Sequence, residues 1–266
     1  MSWFRFHALM VCLVVGLVSG CGSKETKEPP ADPDTSATPS GTKEDQPPAE
    51  PALQVADDTK AVEALKTLGA KLKTKDGLVS DVDFRGTEID DAGLSQLTGL
   101  PRLTAVLLAE TAITDDGLKT LASLSTLKRL DLRNCAISNS GIESLSGLSE
   151  LEDLRFSGAN SATTVDDGGM SALAKLTKLR TLALDFLWVG EEGLEQLAPL
   201  KDLSRLYLKH TLVGDEAMLA LQQFPKLREL RVSQTQVSDA GLEYLSKLQD
   251  LRDLDLSECA QLHDEG

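Results

Sequence analysis

From Val79 onward the apolar residues keep two rhythms. In LKRLDLRNCAISNSGIESLSGL, Leu127 to Leu148, the leucines fall first three and two apart and then only three apart. Alternation of the first kind puts Leu130 and Leu132 on one face of a short strand and Arg129, Asp131 and Arg133 on the other. A spacing of three returns Ile142, Leu145 and Leu148 to one side of a short helical arc. The segment recurs: strand openings of the form L-x-x-L-x-L start at Val79, Leu103, Leu127, Leu151, Leu179, Leu203, Leu227 and Leu251, 24 residues apart except for one step of 28. Each unit carries half a core, and stacking completes it. Upstream, DDTKAVEALKTLGAKLK predicts one amphipathic helix over residues 58 to 73, with Asp57 or Asp58 as N-cap, Ala61, Leu65, Leu68 and Leu72 on its buried side and Gly77 closing the segment, so that residues 57–78 cap the array.

The full unit reads L-x-x-L-x-L-x-x-[TC]-x-[IV]-[ST]-D-x-G-L-x-x-L-x-x-L, and residues 79–266 in this pattern resemble the leucine-rich repeat family. The resemblance implies an α/β horseshoe with a parallel β-sheet on its concave face, helical arcs on its convex face, seven full coils and a truncated eighth. It also implies a protein-binding scaffold. The eighth unit reaches LHDEG without a returning arc, which leaves the strand around Leu254 to Leu256 as an expected open edge. Such an edge calls for more chain or for a covering partner, including self-association with a second copy.

The N-terminal pattern is different. Behind Arg5 comes ALMVCLVVGLV (Ala8 to Val18), an apolar run of signal-peptide length, and it ends in VSGC. Val18-Ser19-Gly20-Cys21 resembles the bacterial lipobox, in which a peptidase cuts before a cysteine whose thiol has been acylated. That resemblance implies a signal peptide over residues 1–20, a lipid anchor on Cys21, and a place in the cell envelope on the periplasmic or outer face of a membrane. Gly22 to Pro51 is dense in Pro, Ser, Thr, Asp and Glu and lacks aromatic and β-branched aliphatic residues, so residues 21–56 are expected to form a flexible tether.

Composition narrows the function. With net charge −15 the chain is poorly suited to nucleic acid. Four cysteines are too few and too scattered for a disulfide framework. Cys135 and Cys259 fall in a column otherwise held by Thr87, Thr111, Thr211 and Thr235, a small interior position with a weak hydrogen bond, and they stand five coils apart, roughly 24 Å at about 4.8 Å per strand. The acidic pairs Asp90/Asp91, Asp115/Asp116, Asp166/Asp167, Glu191/Glu192 and Asp215/Glu216 line one rim; helix capping explains them, and the alternating oxygen ligands of a calcium loop are missing. A column of Gly93, Gly117, Gly141, Gly169, Gly193 and Gly241 admits Ala217, so it requires small size for coil packing rather than a left-handed backbone. His210 and His263 have no nucleophile or zinc arrangement around them. No catalytic group, metal or cofactor is expected.

What remains is the outward face of the sheet. In register, Arg129 neighbours Asp153, Asp131 neighbours Arg155, Asp185 neighbours Lys209, Arg205 neighbours Glu229 and Arg231 neighbours Asp255, so neighbouring strands satisfy most of the charge. Arg133, flanked in its column by Ala109 and Ser157, is left over, and Phe186 and Trp188 are expected to gather near Tyr207 and His210 in a chain that is only 4% aromatic. Arg133, Arg155, Asp185, Phe186, Trp188, Tyr207, Lys209 and His210 are therefore the candidate ligand-binding residues. The extra residues of the 28-residue unit, within SGANSATTVDDGG, are expected to form a side wall to this patch. Two ligand classes fit: a protein partner, or an envelope glycan stacked on Trp188 and Tyr207.

Overall fold

The computed structural model describes residues 56–264, in which strands alternate with short helices and the strands line up in one nine-stranded sheet. Helix α1, Thr59–Thr67, starts at Asp58, whose carboxylate accepts the amides of Lys60 and Ala61. It buries Ala61 and Leu65. The helix stops earlier than its apolar spacing predicts. Gly69, at φ +85°, ends it in a Schellman motif, with Ala70 N–H donating to the Leu65 carbonyl and Gly69 N–H to that of Lys66.

Residues beyond that stop are strand. β1 (Lys71–Lys75) pairs antiparallel with β2 (Leu78–Asp83) through the two-residue turn Asp76-Gly77, both at positive φ, so Leu72 belongs to a hairpin and Gly77 to its turn. The cap is thus a helix and a hairpin. Strands β3 (Ala105–Leu107), β4 (Arg129–Asp131), β5 (Asp153–Ser157), β6 (Thr181–Asp185), β7 (Arg205–Tyr207), β8 (Glu229–Arg231) and β9 (Asp253–Asp255) follow in sequence order, each parallel to the one before from β2 on. Register steps by one repeat: Leu130 sits beside Val106 and Leu154, and Leu206 beside Leu182 and Leu230.

Between the strands the chain returns by the 3₁₀ helix Asp91–Gly99, then α2 (Asp115–Leu121), α3 (Asn139–Leu145), α4 (Met170–Leu173), α5 (Glu191–Gln196), α6 (Asp215–Ala220) and α7 (Asp239–Leu245). One core runs the length of the stack, from Leu65 through Phe84, Leu132, Phe156, Leu184 and Phe224 to Leu245. Just past each strand one residue adopts the left-handed conformation, Gly86 first and then Glu110, Asn134, Ser161, Phe186, His210, Gln234 and Glu258. The next residue closes the turn inward. Thr87, Thr111, Thr211 and Thr235 donate their hydroxyls to the carbonyl three residues back, and Cys135 and Cys259 instead give the thiol to the carbonyl of the preceding coil, Leu108 and Val232 at 3.1 Å. Both cysteines are unpaired and buried.

The expected signal peptide, the candidate acylation site Cys21 and the tether up to Val55 lie outside the described residues. No helix among the described residues is long and apolar enough to cross a membrane.

Candidate binding surfaces

The acidic rim is part of the scaffold. In each coil the first helical residue turns its side chain toward the coil that follows. Asp91 accepts the backbone N–H and hydroxyl of Thr114, Asp115 those of Ser138, and Asp215 those of Ser238, with amide distances of 2.8 to 2.9 Å. Asp167 and Glu191 receive only the amides of Gly190 and Gly214, and Asn139 takes the place of the acid toward Asp166. Capping proper belongs to the residue before, such as Thr114, Asp166 or Ser238. The ladder also explains the glycine column. A Cβ on Gly117, Gly141 or Gly193 would lie 2.1 to 2.3 Å from a carboxylate oxygen of the preceding coil. Ala217 occurs where that coil supplies Glu191 in place of Asp, a stem one methylene longer whose carboxylate accepts the Gly214 amide at 3.1 Å. Among the described residues no group of three or more His, Cys, Asp or Glu side chains is placed to hold a metal ion.

On the open face of the sheet the register is as the repeat predicts, with Arg129 beside Asp153, Asp131 beside Arg155 and Arg231 beside Asp255. The close ion pairs run otherwise. Arg85, Arg133 and Arg155 each fold back along their own strand onto the aspartate two residues earlier, through both Nε and Nη2 at 2.7 to 2.9 Å. Residues two apart stand on the same face about 7 Å from each other, a span that the arginine stem covers with its fork side-on. Arg129 reaches Asp81 two strands away. Arg133 is therefore held through Nε and Nη2 by Asp131, which is only 4% exposed, and it is no leftover charge. Hydrogen bonding to these carboxylates holds all three guanidinium pKa values above the usual range.

Asp185 does not pair with the Lys209 side chain. Its carboxylate accepts the Lys209 backbone N–H at 2.9 Å, while the Lys209 ammonium lies 5.8 Å from the centre of the Phe186 ring. Burial pushes the Asp185 carboxyl up, against the opposing pull of that amide and of the charges on Arg231, Arg133 and Lys209. Tyr207 lies under Arg231, whose guanidinium carbon is 4.7 Å from the ring centre; burial and then the neighbouring Glu229 raise its phenol.

The remaining aromatics gather on the rim. Phe186 and His210 hold the left-handed position of successive coils at φ +59° and +53°, and their rings approach to 5.2 Å. Two residues beyond each stand Trp188, 75% exposed, and Leu212, 51% exposed. With Gln234 and Gln236 they border a shallow depression of about 380 Å³.

A leucine-rich repeat region model matches residues 80–265. The chain belongs to the leucine-rich repeat family. Comparison with curated proteins gives no match. Among solved structures, an internalin (inlF) from Listeria monocytogenes is similar with a TM-score of 0.51 at 21% identity, over 66% of this chain and 53% of that one. An internalin C2 from the same organism is similar with a TM-score of 0.51 at 22% identity, over 75% of this chain and 93% of that one. The chain thus spans about half the length of the first of these, and at such identities the likeness is one of fold.

Within the leucine-rich repeat frame the eight candidate residues divide into two groups. Arg133, Arg155, Asp185, Tyr207 and Lys209 stand on the open sheet face, one of three outward positions per strand and turn. Phe186, Trp188 and His210 stand on the rim, and Tyr207 is not among the residues that border their depression. Leu212, which completes the rim patch, escapes sequence reasoning because a lone leucine in a leucine repeat carries no contrast; its signal is that it falls in the column of Trp188, 24 residues on. The four-residue insertion is no side wall either. It folds back onto the preceding coil, with Asn160 Nδ2 donating to the Asn134 carbonyl and Thr163 Oγ1 to those of Cys135 and Ser157, and none of its residues is among those that border the depression.

Proposed function

We propose that this chain is a non-catalytic, protein-binding leucine-rich repeat module tethered by lipid at Cys21 to a membrane of the cell envelope. The family is one of interaction scaffolds, and the observation that carries the reading here is the rim patch. A tryptophan exposed over three quarters of its surface beside a half-exposed leucine leaves apolar area in water without any packing return. Beneath them the backbone holds a phenylalanine in a conformation that disfavours bulky side chains, a strain that the fold does not need at this column, since Glu, Asn, Gln and Ser occupy it elsewhere. Exposed Trp at the centre of a small apolar site is the usual form of an interface anchor.

The full chain is to be used as bait in an envelope extract, with and without glycosidase treatment, beside Trp188→Ser and Leu212→Ser variants. A protein captured by the parent chain, lost with either substitution and indifferent to glycosidase supports the reading. Capture that glycosidase abolishes would assign the patch to a glycan, and capture that survives both substitutions would remove the rim from the interface. For the tether, mass spectrometry of the mature N-terminus should show acylated Cys21; an intact Met1 or a bare Cys21 thiol in the native host would refute it.

A further inference from the structure

Strands β2 to β5 carry on the open face a charge layering that a count of opposite charges hides. Four arginines and four aspartates pair there one to one: Arg85 with Asp83, Arg129 with Asp81, Arg133 with Asp131 and Arg155 with Asp153. Formal charge cancels, but exposure does not. The arginine side chains are 49, 52, 39 and 35% exposed in that order, and their carboxylate partners 22, 19, 6 and 14%. The aspartates form an underlayer and the guanidinium groups form the surface that a ligand meets.

That surface is also fixed in place. Arg85, Arg133 and Arg155 spend Nε and Nη2 on their aspartates, and among the described residues Nη1 of each donates to nothing, so three planar forks are held in place with donors unused. All four arginines border one depression of about 180 Å³, together with Leu107, Leu130 and the partner carboxylates Asp131 and Asp153. An arginine already immobilised by a carboxylate beneath it loses little side-chain freedom on meeting a second acceptor above it. Toward the other end of the face the layering thins: Arg231 lies over Glu229 through a single bond, and Asp253 of β9 is exposed, with no arginine fork on it among the described residues.

We propose that this guanidinium surface, spanning β2 to β5 and their turns, receives a carboxylate-rich peptide segment of the protein partner. The proposal rests on the protein-binding reading above and adds the chemistry of the ligand. Extended polyanions fit less well. A nucleic acid or an anionic bilayer meets the field of the whole molecule, whose net charge is −15, whereas a short acidic segment lying on the arginines senses little beyond the Debye length of roughly 8 Å at physiological salt.

The test uses the full chain and three labelled twelve-residue peptides in which Ser alternates with Glu, Gln or Lys, read by fluorescence anisotropy. The Glu peptide should bind at least about tenfold more tightly than the Gln peptide at low salt, and the gap should narrow as salt is raised. Arg85→Gln with Arg129→Gln, the two most exposed of the four and the least costly to the fold, should cut Glu-peptide binding by about three- to tenfold. Lys178→Gln with Lys226→Gln, which removes the same charge from exposed pairs away from this depression, should leave it unchanged. Equal binding of the Glu and Gln peptides, an unchanged preference in the Arg85/Arg129 variant, or stronger binding to phosphatidylglycerol vesicles than to the Glu peptide would each overturn the proposal. If Trp188-dependent capture of a protein persists while the charge preference is missing, only this inference falls; if both are missing, the protein-binding reading falls with it.

Discussion

Gly141→Ala tests the ladder that joins one coil to the next. A methyl group on Gly141 would sit 2.1 Å from Oδ1 and 2.8 Å from Cγ of Asp115, closer than any real contact, so the carboxylate must leave. It would give up the Ser138 backbone amide and the Ser138 hydroxyl together. Hydrogen bonds to a charged group contribute about 1.5–3 kcal/mol each in net terms, less here because the site is only partly buried. Against that stands the helix-forming advantage of Ala over Gly, up to about 1 kcal/mol and smaller in the first turn of a seven-residue helix. The expected net loss is about 1–3 kcal/mol, read as a shift of the urea midpoint by circular dichroism. The structure contains its own control. Glu191 reaches the Gly214 amide at 3.1 Å with Ala217 in the glycine position, so Asp115→Glu combined with Gly141→Ala should recover at least half of the loss, although Asp115→Glu alone should cost stability. Neutral or stabilising behaviour of Gly141→Ala would refute the steric reasoning, and strict additivity of the double variant would refute the pairing.

Other expectations follow from the same geometry. Leu132→Ala should cost about 2–5 kcal/mol by opening a cavity in the continuous core, and Asp131→Ala, on the opposite face of the same strand, about 1–2 kcal/mol because it frees a buried fork to Arg133; a negligible loss from Asp131→Ala in chemical denaturation would contradict the layered face. Phe186→Gly should leave stability unchanged or raise it, since φ is +59° there, and should weaken partner capture; a large loss of stability would make Phe186 a packing residue rather than a strained functional one. Asp185 has its folded-state pKa raised by burial, so the native state holds the proton more tightly than the unfolded chain and stability falls as pH rises from the ordinary carboxylate value through the raised one. Asp185→Asn should therefore be more stable than the parent at neutral pH, with the advantage vanishing once both are below the ordinary carboxylate value; an advantage that grows toward acid would show the sign to be wrong.

Most of the architecture was legible because it is written once per coil. A leucine opening eight times at a nearly constant interval leaves little freedom in strand order or register, and the register found is the one the interval implies. The N-terminal cap was legible only in part, since it occurs once. Ala61 and Leu65 gave the helix, but Leu68 and Leu72 continue the same spacing by coincidence: Gly69 ends the helix between them, and Asp76-Gly77 is a hairpin turn. Both signals were local turn chemistry, and the apolar period outweighed them. The glycine column gave its size requirement correctly. Its cause needed a correlation across coils, that Glu and Ala replace Asp and Gly together at Glu191 and Ala217, 26 residues apart as are Asp115 and Gly141.

The face was harder to read than the fold, and the reason is directional. Strand register fixes which charges are neighbours, and it does so within about 5 Å, but an arginine stem is longer than that and chooses among several carboxylates by the angle at which its fork arrives. Arg133 was left over in a column count, yet it is held twice by Asp131; Asp185 was paired in the same count, yet it receives only a backbone amide. These two exchanges turn a face that is neutral by arithmetic into one with an arginine surface and an aspartate floor. The rim failed differently. Phe186, Trp188 and His210 were singled out by residue type alone, and the structure joins them because successive coils repeat their positions, whereas Tyr207 follows its strand onto the sheet and under Arg231. In a solenoid, then, a residue's column decides which surface it serves, and its chemistry decides only what that surface can hold. A partner spanning the rim patch and the arginine layer would read two columns of one coil stack at once, which is why substitutions at Trp188 and at Arg129 are expected to act on capture independently and nearly additively.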